Sequence, residues 1–284
     1  MKLITQPDQG IKPLLDAVRR AKRRISIVIF RFDLEELEDA LAAAVKRGVD
    51  VVALIANTNK GGEQGLRKLE QRMLKKGVTV NRTNDDMVRY HGKLLIIDRR
   101  QAFILGFNYT SQDLESRSFG IITRSPRVVK ELLRLFDSDA SRTDFRPCVR
   151  DLVVSPENAR SRLHAFLRKA RTTLDIYDPR VADDEMLALL ERKASRGVRI
   201  RIIGAIEKKW EKGGFAAVAP LRGRLHVRAI VRDGTRAFIG SQSLRKLELD
   251  ERREVGIIIR ERKMVRRVEK VFNADWKRAV RKKK

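Results

Sequence analysis

Two of the three histidines in the chain are each followed, two residues later, by a basic residue. His91 precedes Lys93 in "RYHGKLLIIDRRQAFILGFN", and His226 precedes Arg228 in "HVRAIVRDGTRAFIGSQS". An imidazole titrates near neutral pH, so it can act as a nucleophile, a base or an acid. A neighbouring ammonium or guanidinium group can stabilise an anionic oxygen. Each pair therefore suits reactions at an anionic centre.

The repetition of this pair predicts a shared reaction at phosphorus. One imidazole would attack the phosphorus atom and the other would protonate the leaving oxygen, while Lys93 and Arg228 held the phosphoryl oxygens. This chemistry needs neither a metal ion nor another cofactor, and the sequence has no cluster of carboxylates or cysteines that indicates a metal site.

Two aspartates follow the pairs at matching distances. In a strand, residues two apart face the same way, so His91 and Lys93 share one face while Asp98 has the opposite parity. Asp98 and Asp233 stand where apolar runs enter "DRRQ" and "DGTR", which are typical of tight turns. We expect both to brace the structure without touching substrate.

The segments that position these residues occur twice along the chain. "LLDAVRRAKRRISIV" resembles "LHAFLRKARTTLDIY", and "LEDALAAAVKRGVDVVALIA" resembles "MLALLERKASRGVRIRIIGA". Each segment reads as an amphipathic helix followed by a strand, with Gly48 and Gly197 marking helix ends. The pattern predicts an α/β fold of two duplicated lobes, each a mixed β-sheet flanked by helices, packed with pseudo-twofold symmetry. We place the first lobe at residues 1–148 and the second, with a basic C-terminal tail, at residues 149–284.

The charge of the chain limits its partners. Lys and Arg number 64 against 37 Asp and Glu, giving a net charge of +27 in 284 residues. Such an excess predicts binding to a polyanion, either nucleic acid or an anionic membrane surface. The single cysteine, Cys148, fits a reducing compartment, and no apolar run is long enough to span a membrane. We expect a cytoplasmic monomer, in which both lobes form one site and which contacts the inner face of a membrane only peripherally.

The motifs resemble those of the phospholipase D superfamily. His-x-Lys, four residues and Asp, followed by a stretch with Gly and Asn, describe His91, Lys93 and Asp98, and the second copy varies by Arg228. The resemblance implies two fused lobes with one active site, and a two-step displacement through a phosphohistidine with His91 as the nucleophile and His226 as the acid. The implied catalytic residues are His91, Lys93, Asp98, His226, Arg228, Asp233 and Glu254. The implied phosphate-binding residues are Lys93, Asn108, Arg228, Ser241 and Ser243.

The two copies depart from the family pattern in different places. Arginine at 228 keeps the charge of the usual lysine but differs in reach and geometry. Many members have an acid two residues before a later glycine, where it orients a histidine; Glu254 fills this place in the second lobe, whereas Ser118 occupies it in the first. We therefore expect His91 to lack its usual orienting acid, for which Asp113 and Glu115 are candidate substitutes.

The predicted function is that of a metal-independent phosphodiesterase or phosphatidyltransferase acting on anionic phospholipid. Aromatic residues make up only 6% of the chain, which disfavours a broad base-stacking platform and thus slightly favours lipid. A nuclease of the same superfamily is the alternative, because the positive charge suits a phosphate backbone equally well. A degenerate, non-catalytic binder of nucleic acid or membrane is a third, given the changes at Arg228 and Ser118.

Overall fold

Two mixed β-sheets with helices on their faces form the molecule. A computed structural model of the chain describes residues 1–58, 62–210, 214–215, 217–219 and 224–280. The strands are β1 (Lys2–Gln6), β2 (Arg24–Ile29), β3 (Asp50–Ile55), β4 (Thr79–Arg82), β5 (Arg89–Tyr90), β6 (Leu94–Ile97), β7 (Gln101–Leu105), β8 (Ser118–Thr123), β9 (Leu152–Ser155), β10 (Thr173–Val181), β11 (Arg199–Ile206), β12 (Ala217–Ala219), β13 (Arg228–Arg232), β14 (Arg236–Gly240) and β15 (Arg252–Ile259). The α-helices are α1 (Lys12–Arg20), α2 (Glu35–Lys46), α3 (Gly62–Lys75), α4 (Ser111–Leu114), α5 (Pro126–Ser141), α6 (Ala159–Arg168), α7 (Asp184–Ala194), α8 (Lys246–Asp250) and α9 (Arg262–Val280).

The strand order repeats from one sheet to the other, which confirms the predicted α/β duplication. The first sheet has the order β1-β8-β7-β6-β2-β3-β4, and the second has β12-β11-β10-β13-β14-β15-β5 with β9 also paired to β15. Strand β2 runs parallel to β3 in the first sheet, and the equivalent strand β10 runs parallel to β11 in the second. The motif strands β6 and β13 run antiparallel to β2 and β10 respectively.

The central strands are apolar throughout because both of their faces are covered. All four residues of β6, "LLII", are buried, as expected for a strand between two helical layers. Helices α2 and α7 end just before Gly48 and Gly197, each of which has a φ of 82°. Glycine adopts this left-handed conformation without steric cost, which stops both helices at equivalent points.

A shared core joins the two sheets. It contains Leu94 of β6 and Ile239 of β14, together with Phe136 of α5 and Phe272 of α9. Two further cores lie on the outer faces, one under the helices of the first half and one under those of the second. The helices α5 and α9 therefore lie between the sheets, and burial of their apolar faces holds the halves together.

Short cross-connections bring the histidine segments into the opposite half. Strand β5 pairs in parallel with β15, which places Arg89 opposite Arg252 and Tyr90 opposite Arg253. The corresponding contact on the other side is a bridge between Leu225 and Arg117. Each histidine is thus attached to the lobe that does not contain it.

The predicted lobe boundary at residues 148/149 remains our proposed division of the chain. Residues 281–284 of the predicted basic tail lie outside the described residues, as do parts of the glycine-containing stretches near 59–65 and 211–217. No helix in the described ranges is long and apolar enough to cross a membrane.

Candidate active site

The two histidines occupy equivalent positions on either side of the interface between the sheets. His91 and His226 lie just ahead of β6 and β13, outside the regular ladders. The backbone N–H of His91 donates to the carbonyl of Arg253 at 2.8 Å, and that of His226 donates to the carbonyl of Arg117 at 3.1 Å. These hydrogen bonds hold each histidine beside a strand of the other lobe. The strand beside His91 contains Glu254, and the strand beside His226 contains Ser118 at the equivalent position.

Glu254 binds His91 across this interface. Its carboxylate oxygens lie 2.8 and 2.9 Å from Nδ1 of His91, and its side chain is completely buried. The expectation that His91 lacks an orienting acid is therefore wrong, because the acid comes from the other half of the chain. A proton on Nδ1 satisfies the carboxylate and leaves the lone pair of Nε2 available for nucleophilic attack.

Lys93 lies against the His91 ring. Its Nζ is 2.9 Å from both Nδ1 and Nε2 of His91, and the side chain is only 1% exposed. Burial lowers the pKa of Lys93 to about 7, although the charge of Glu254 opposes the shift. Burial likewise raises the pKa of Glu254 to about 7, opposed by Lys93. The charged state of this pair is consequently poised to change near neutral pH.

Burial and the neighbouring cations favour the neutral form of both imidazoles. Burial lowers the pKa of His91 well below its usual value, and the nearby charges of Lys93 and Arg228 lower it further. Burial also lowers the pKa of His226, with contributions from Arg228, Lys93 and His91. A neutral His91 is the form required of a nucleophile. An anionic phosphate between the rings would offset the surrounding cations and favour the protonated form of His226.

Asp113 provides the carboxylate beside His226, because Ser118, which stands at the position equivalent to Glu254, has none. The Ser118 hydroxyl is buried and has no hydrogen-bond partner among the described residues. Oδ2 of Asp113 lies 3.2 Å from Nδ1 of His226, at an angle that does not make a hydrogen bond. The same carboxylate forms an ion pair with Arg224. Asp113 was a candidate to orient His91, but it lies beside His226 instead. Among the described residues, no contact places Glu115 near either histidine ring.

Arg228 is held by the second half of the chain. Its Nε donates to the Ser243 hydroxyl at 3.2 Å, and one terminal nitrogen donates to the His226 carbonyl at 2.9 Å. Asp178 lies behind Ser243 and accepts the backbone N–H of Leu244 at 2.7 Å. Burial raises the pKa of Asp178, and backbone donors and Arg228 oppose the shift. Ser243 therefore fixes the guanidinium of Arg228 near both histidines.

Asn108 and Ser241 differ in their access to the site. Asn108 donates from its side-chain amide to Asp113 at 2.6 Å, which leaves a second amide hydrogen for an anion. Ser241 is completely buried, and its hydroxyl accepts the backbone N–H of Val255 at 3.1 Å. The hydroxyl of Ser241 also stabilises the charged form of Glu254. Ser241 therefore supports Glu254, and the geometry does not present it to a phosphate.

The motif aspartates lie at the far ends of their strands. Asp98 accepts the backbone N–H groups of Lys22, Arg23 and Arg24 at 2.7 to 3.2 Å. Asp233 accepts those of residues 171–173 in the same manner. Asp98 lies five positions after Lys93 in extended chain, a distance of about 16 Å. The hydrogen bonds agree with the expected turn-bracing role, in which neither aspartate touches substrate. The grouping of Asp98 and Asp233 with the catalytic residues stays a prediction.

Sequence reasoning did not identify two side chains beside His91. The ring of Phe30 packs edge-on against the His91 imidazole, with ring centres 4.4 Å apart. Arg89 precedes His91 by two residues, as Arg224 precedes His226. This repeated Arg-x-His spacing was a usable signal, because residues two apart in extended chain share a face. The described residues contain no group of three or more His, Cys, Asp or Glu placed to hold a metal ion.

Comparison with known families matches both halves of this arrangement. A family model described as "Cardiolipin synthase, PLD-like domain" matches residues 14–140 and 163–276. The chain belongs to this phospholipase D-like family. Both members of the histidine pair lie within the matched ranges of the phospholipase D-like sequence.

Several proteins resemble this phospholipase D-like chain in sequence or fold. A polyphosphate kinase of Vibrio vulnificus (strain YJ016) is 25% identical over 226 residues, which cover 71% of this chain and 32% of that protein. A crystal structure of polyphosphate kinase from Porphyromonas gingivalis superposes with a TM-score of 0.78 at 18% identity, covering 97% of this chain and 50% of that one. Phosphatidylserine synthase of Haemophilus influenzae Rd KW20 gives a TM-score of 0.75 at 12% identity, covering 96% of this chain and 85% of that one.

These relationships define the fold and the superfamily. The chain spans half or less of the length of the polyphosphate kinases that it matches. The superfamily contains phosphodiesterases and phosphotransferases, and the two-lobed α/β architecture is common to this chain and its structural neighbours.

Proposed function

We propose that the protein is a metal-independent phosphodiesterase or transferase that works through a phosphohistidine. The observation that carries this proposal is the buried Glu254–His91 hydrogen bond next to Lys93, since it leaves a neutral, oriented Nε2 beside a cation. His226 and Arg228 lie on the opposite side of the same interface, where a phosphoryl group would meet both sets of residues.

The first step forms a bond between Nε2 of His91 and phosphorus, and breaks the bond from phosphorus to the leaving oxygen. His226, protonated when the phosphate binds, gives its proton to that oxygen. Lys93 and Arg228 stabilise the negative charge on the non-bridging oxygens. In the second step neutral His226 removes a proton from water or an alcohol, whose oxygen displaces His91 from phosphorus.

Anionic phospholipid is one candidate substrate. The family description refers to cardiolipin synthase, and the positive charge of the chain would attract an anionic bilayer, at about 1 kcal/mol for each well-placed Lys or Arg. The names phosphatidylserine synthase and polyphosphate kinase both denote transfer at phosphorus, which supports transfer to an acceptor as well as hydrolysis.

Nucleic acid is the second candidate, and the surroundings of the site favour it. Among the described residues, the large apolar side chains that are exposed are Met1, Leu74, Val88 and Val280, and only Val88 is close in sequence to His91. The exposed side chains of the described residues therefore do not form the contiguous apolar rim that a lipid-binding mouth would provide. Arginines surround it instead, which favours recognition of a substrate through its phosphates.

Hydrolysis of bis(p-nitrophenyl) phosphate with chelator present tests the shared chemistry. We expect turnover by the wild type and a loss of at least about 10²-fold in His91→Ala and His226→Ala. Acid-quenched mass spectrometry should detect a phosphorylated His91 peptide, which His226→Ala accumulates if the second step needs His226. His164→Ala is the matched control, because His164 lies on α6 and contacts Glu185 at 3.6 Å. Equal turnover by all four proteins would refute the mechanism.

The same variants then separate the two substrates. Release of head group from anionic vesicles without cleavage of oligonucleotides would identify a lipid enzyme, and the reverse result would identify a nuclease.

A further inference from the structure

A group of arginines lies beside His91, in addition to Arg228. Arg89 and Arg252 are direct neighbours across the parallel pair β5 and β15, and they stand two residues before His91 and Glu254 respectively. The guanidinium of Arg31 lies 6.0 Å from the ring centre of Phe30, whose ring packs on His91. We refer to Arg31, Arg89 and Arg252 as the arginine cluster.

The two lobes treat their equivalent arginines differently. Arg224, two residues before His226, forms an ion pair with Asp113. Arg89, two residues before His91, has no hydrogen bond or ion pair with any described carboxylate. Glu248 is the second-half counterpart of Asp113. Its carboxylate forms ion pairs with Arg252 at 2.9 Å and with Arg245 at 3.3 Å. Among the described residues, Arg31 and Arg89 on the His91 side therefore have no carboxylate in an ion pair, although the charge of Glu248 acts to raise the pKa of Arg89.

The unbalanced charge is close enough to affect the reacting residue. Burial lowers the pKa of Arg89, and the charges of Arg252 and Arg31 lower it further. The charges of Arg252 and Arg89 also contribute to the low pKa of His91. Like charges gathered at a partly buried place destabilise the ligand-free protein, and an anion bound among them would relieve this repulsion.

The reacting phosphate does not require these arginines. A phosphodiester carries one negative charge, and Lys93 and Arg228 already lie at the two histidines to receive it. Guanidinium groups are well suited to phosphate oxygens because they donate two parallel hydrogen bonds.

We propose that the arginine cluster is a subsite for a second phosphate group of the substrate, adjacent to the phosphate attacked by His91. This inference rests on the proposed function, whose substrate it narrows to molecules with at least two neighbouring phosphates. A condensed phosphate and a polynucleotide backbone are two sources of that chemistry.

Calorimetric titration of the intact protein at fixed ionic strength, with chelator present, tests the subsite. Orthophosphate and pyrophosphate form one pair of probes; dithymidine nucleotides without and with a 5′-phosphate form the other. In each pair the second probe has one additional phosphate. The variants are Arg31→Gln/Arg89→Gln and the control Arg168→Gln/Arg196→Gln. The control removes the same charge from two exposed arginines whose charges both act on Lys193, on the other half of the chain.

In wild type and control, the additional phosphate should tighten binding by about tenfold to hundredfold in at least one probe pair, since charged hydrogen bonds contribute about 1.5–3 kcal/mol. The Arg31→Gln/Arg89→Gln protein should lose most of this preference. The pair that shows it identifies a condensed phosphate or a nucleotide backbone as the source. Absence of the preference in wild type, its persistence in Arg31→Gln/Arg89→Gln, or an equal loss in the control would overturn the subsite.

The binding experiment tests the subsite and the turnover experiment tests the proposed function, so one proposal can fail while the other holds. A wild type that shows the arginine-dependent preference but never hydrolyses a diester would retain the subsite and lose the proposed enzymatic function. A wild type that hydrolyses the diester but shows no preference for the additional phosphate would retain the proposed enzymatic function and lose the subsite.

Discussion

At the scale of single residues, the site consists of two histidines that are supported unequally. His91 has a bifurcated hydrogen bond to a fully buried carboxylate, whereas His226 has a carboxylate at 3.2 Å that is poorly aligned and shared with Arg224. The better-oriented ring is the better nucleophile, because its tautomer is fixed before substrate arrives. The acid can tolerate looser support, since a bound phosphate itself stabilises its charged form.

Substitution of the two supporting acids should reveal this inequality. Glu254→Gln is expected to lower kcat by about 10²-fold or more, because it removes the carboxylate that orients His91. Asp113→Asn should have a smaller effect and should act mainly on protonation of the leaving group. A leaving group with a low pKa, such as p-nitrophenolate, needs little protonation, so it should rescue Asp113→Asn and not Glu254→Gln. Equal rescue of both variants would contradict the assigned roles.

The pH dependence should report on Lys93 and Glu254. The proposed mechanism needs Lys93 charged and Glu254 ionised, and the pKa of each is about 7. As pH rises above about 7 Lys93 loses its positive charge, and as pH falls below about 7 Glu254 becomes protonated. We therefore expect a narrow, bell-shaped profile of kcat/KM with its maximum near pH 7, whose two apparent pKa values belong to the coupled pair.

Lys93→Arg distinguishes the two limbs of this profile. Arginine stays charged throughout the accessible range, so the alkaline limb should move to higher pH even if the maximal rate falls. Arg228 provides the precedent, because it holds the equivalent place in the second half. An alkaline limb that stays in place in Lys93→Arg would show that another group titrates there.

At the scale of elements, Asp98 and Asp233 connect the turn after each motif strand to the turn before the neighbouring strand. Both have a φ of 52°, in the left-handed region that aspartate tolerates better than most residues. Partial burial acts to raise the pKa of Asp98, but three backbone N–H donors outweigh it and hold the pKa below its usual value. These contacts fix β2 against β6 and hence the direction in which the chain leaves Lys93.

Replacing Asp98 should therefore lower stability more than chemistry. Asp98→Ala is expected to reduce the free energy of unfolding by about 2 kcal/mol at pH 7, through the loss of hydrogen bonds to a charged acceptor. Because the folded-state pKa is depressed, this difference is present above the unfolded pKa of about 3.9 and shrinks as pH falls through the folded-state value. Denaturant unfolding at pH 7 and pH 3 measures both.

The control for Asp98→Ala is Asp16→Ala, which removes only an exposed pair with Lys12 and should change stability by less than about 0.5 kcal/mol. A large fall in kcat at temperatures where the Asp98→Ala protein is folded would instead show that Asp98 takes part in the reaction.

Elements were the level at which sequence predicted best. The helix–strand repeats, the glycine stops at 48 and 197 and the turn aspartates follow from local periodicity and turn chemistry, which neighbouring residues determine. The pairing of His91 with Glu254 spans 163 positions and depends on how the lobes face each other, so no local pattern reveals it. The arginine cluster was equally hidden, because no local pattern distinguishes its members from the rest of the 64 Lys and Arg residues.

At the scale of the whole molecule, the halves share too much buried surface to behave as independent domains. The common core includes residues from both sheets, and β5 of the first half is a strand of the second sheet. Gly106 lies at a close approach of the two halves: a Cβ there would be 2.9 Å from the Phe119 carbonyl oxygen of its own half and 3.1 Å from the Gly240 carbonyl oxygen of the other half. A side chain at 106 would force the two backbones apart.

Calorimetry should accordingly detect one unfolding transition for the wild type. Gly106→Ala should keep the single transition while losing about 1–3 kcal/mol of stability, because the added methyl group overpacks the contact between the halves. Gly65→Ala is the control, since a Cβ at that position meets nothing within 4 Å. Two separate transitions in the wild type would contradict the shared core.

The exchange of supporting acids between the halves also bears on how such a chain can change over generations. A dimer of identical single lobes must carry every site residue twice, so any substitution alters both histidines together. In the fused chain each copy of a supporting residue acts on only one histidine. Ser118 provides no acid on the His226 side, while Glu254 still binds His91. Likewise, arginine stands at 228 while lysine stands at the equivalent position 93. In a covalently linked pair of lobes, a single substitution can therefore change the support of one histidine and leave that of the other unchanged.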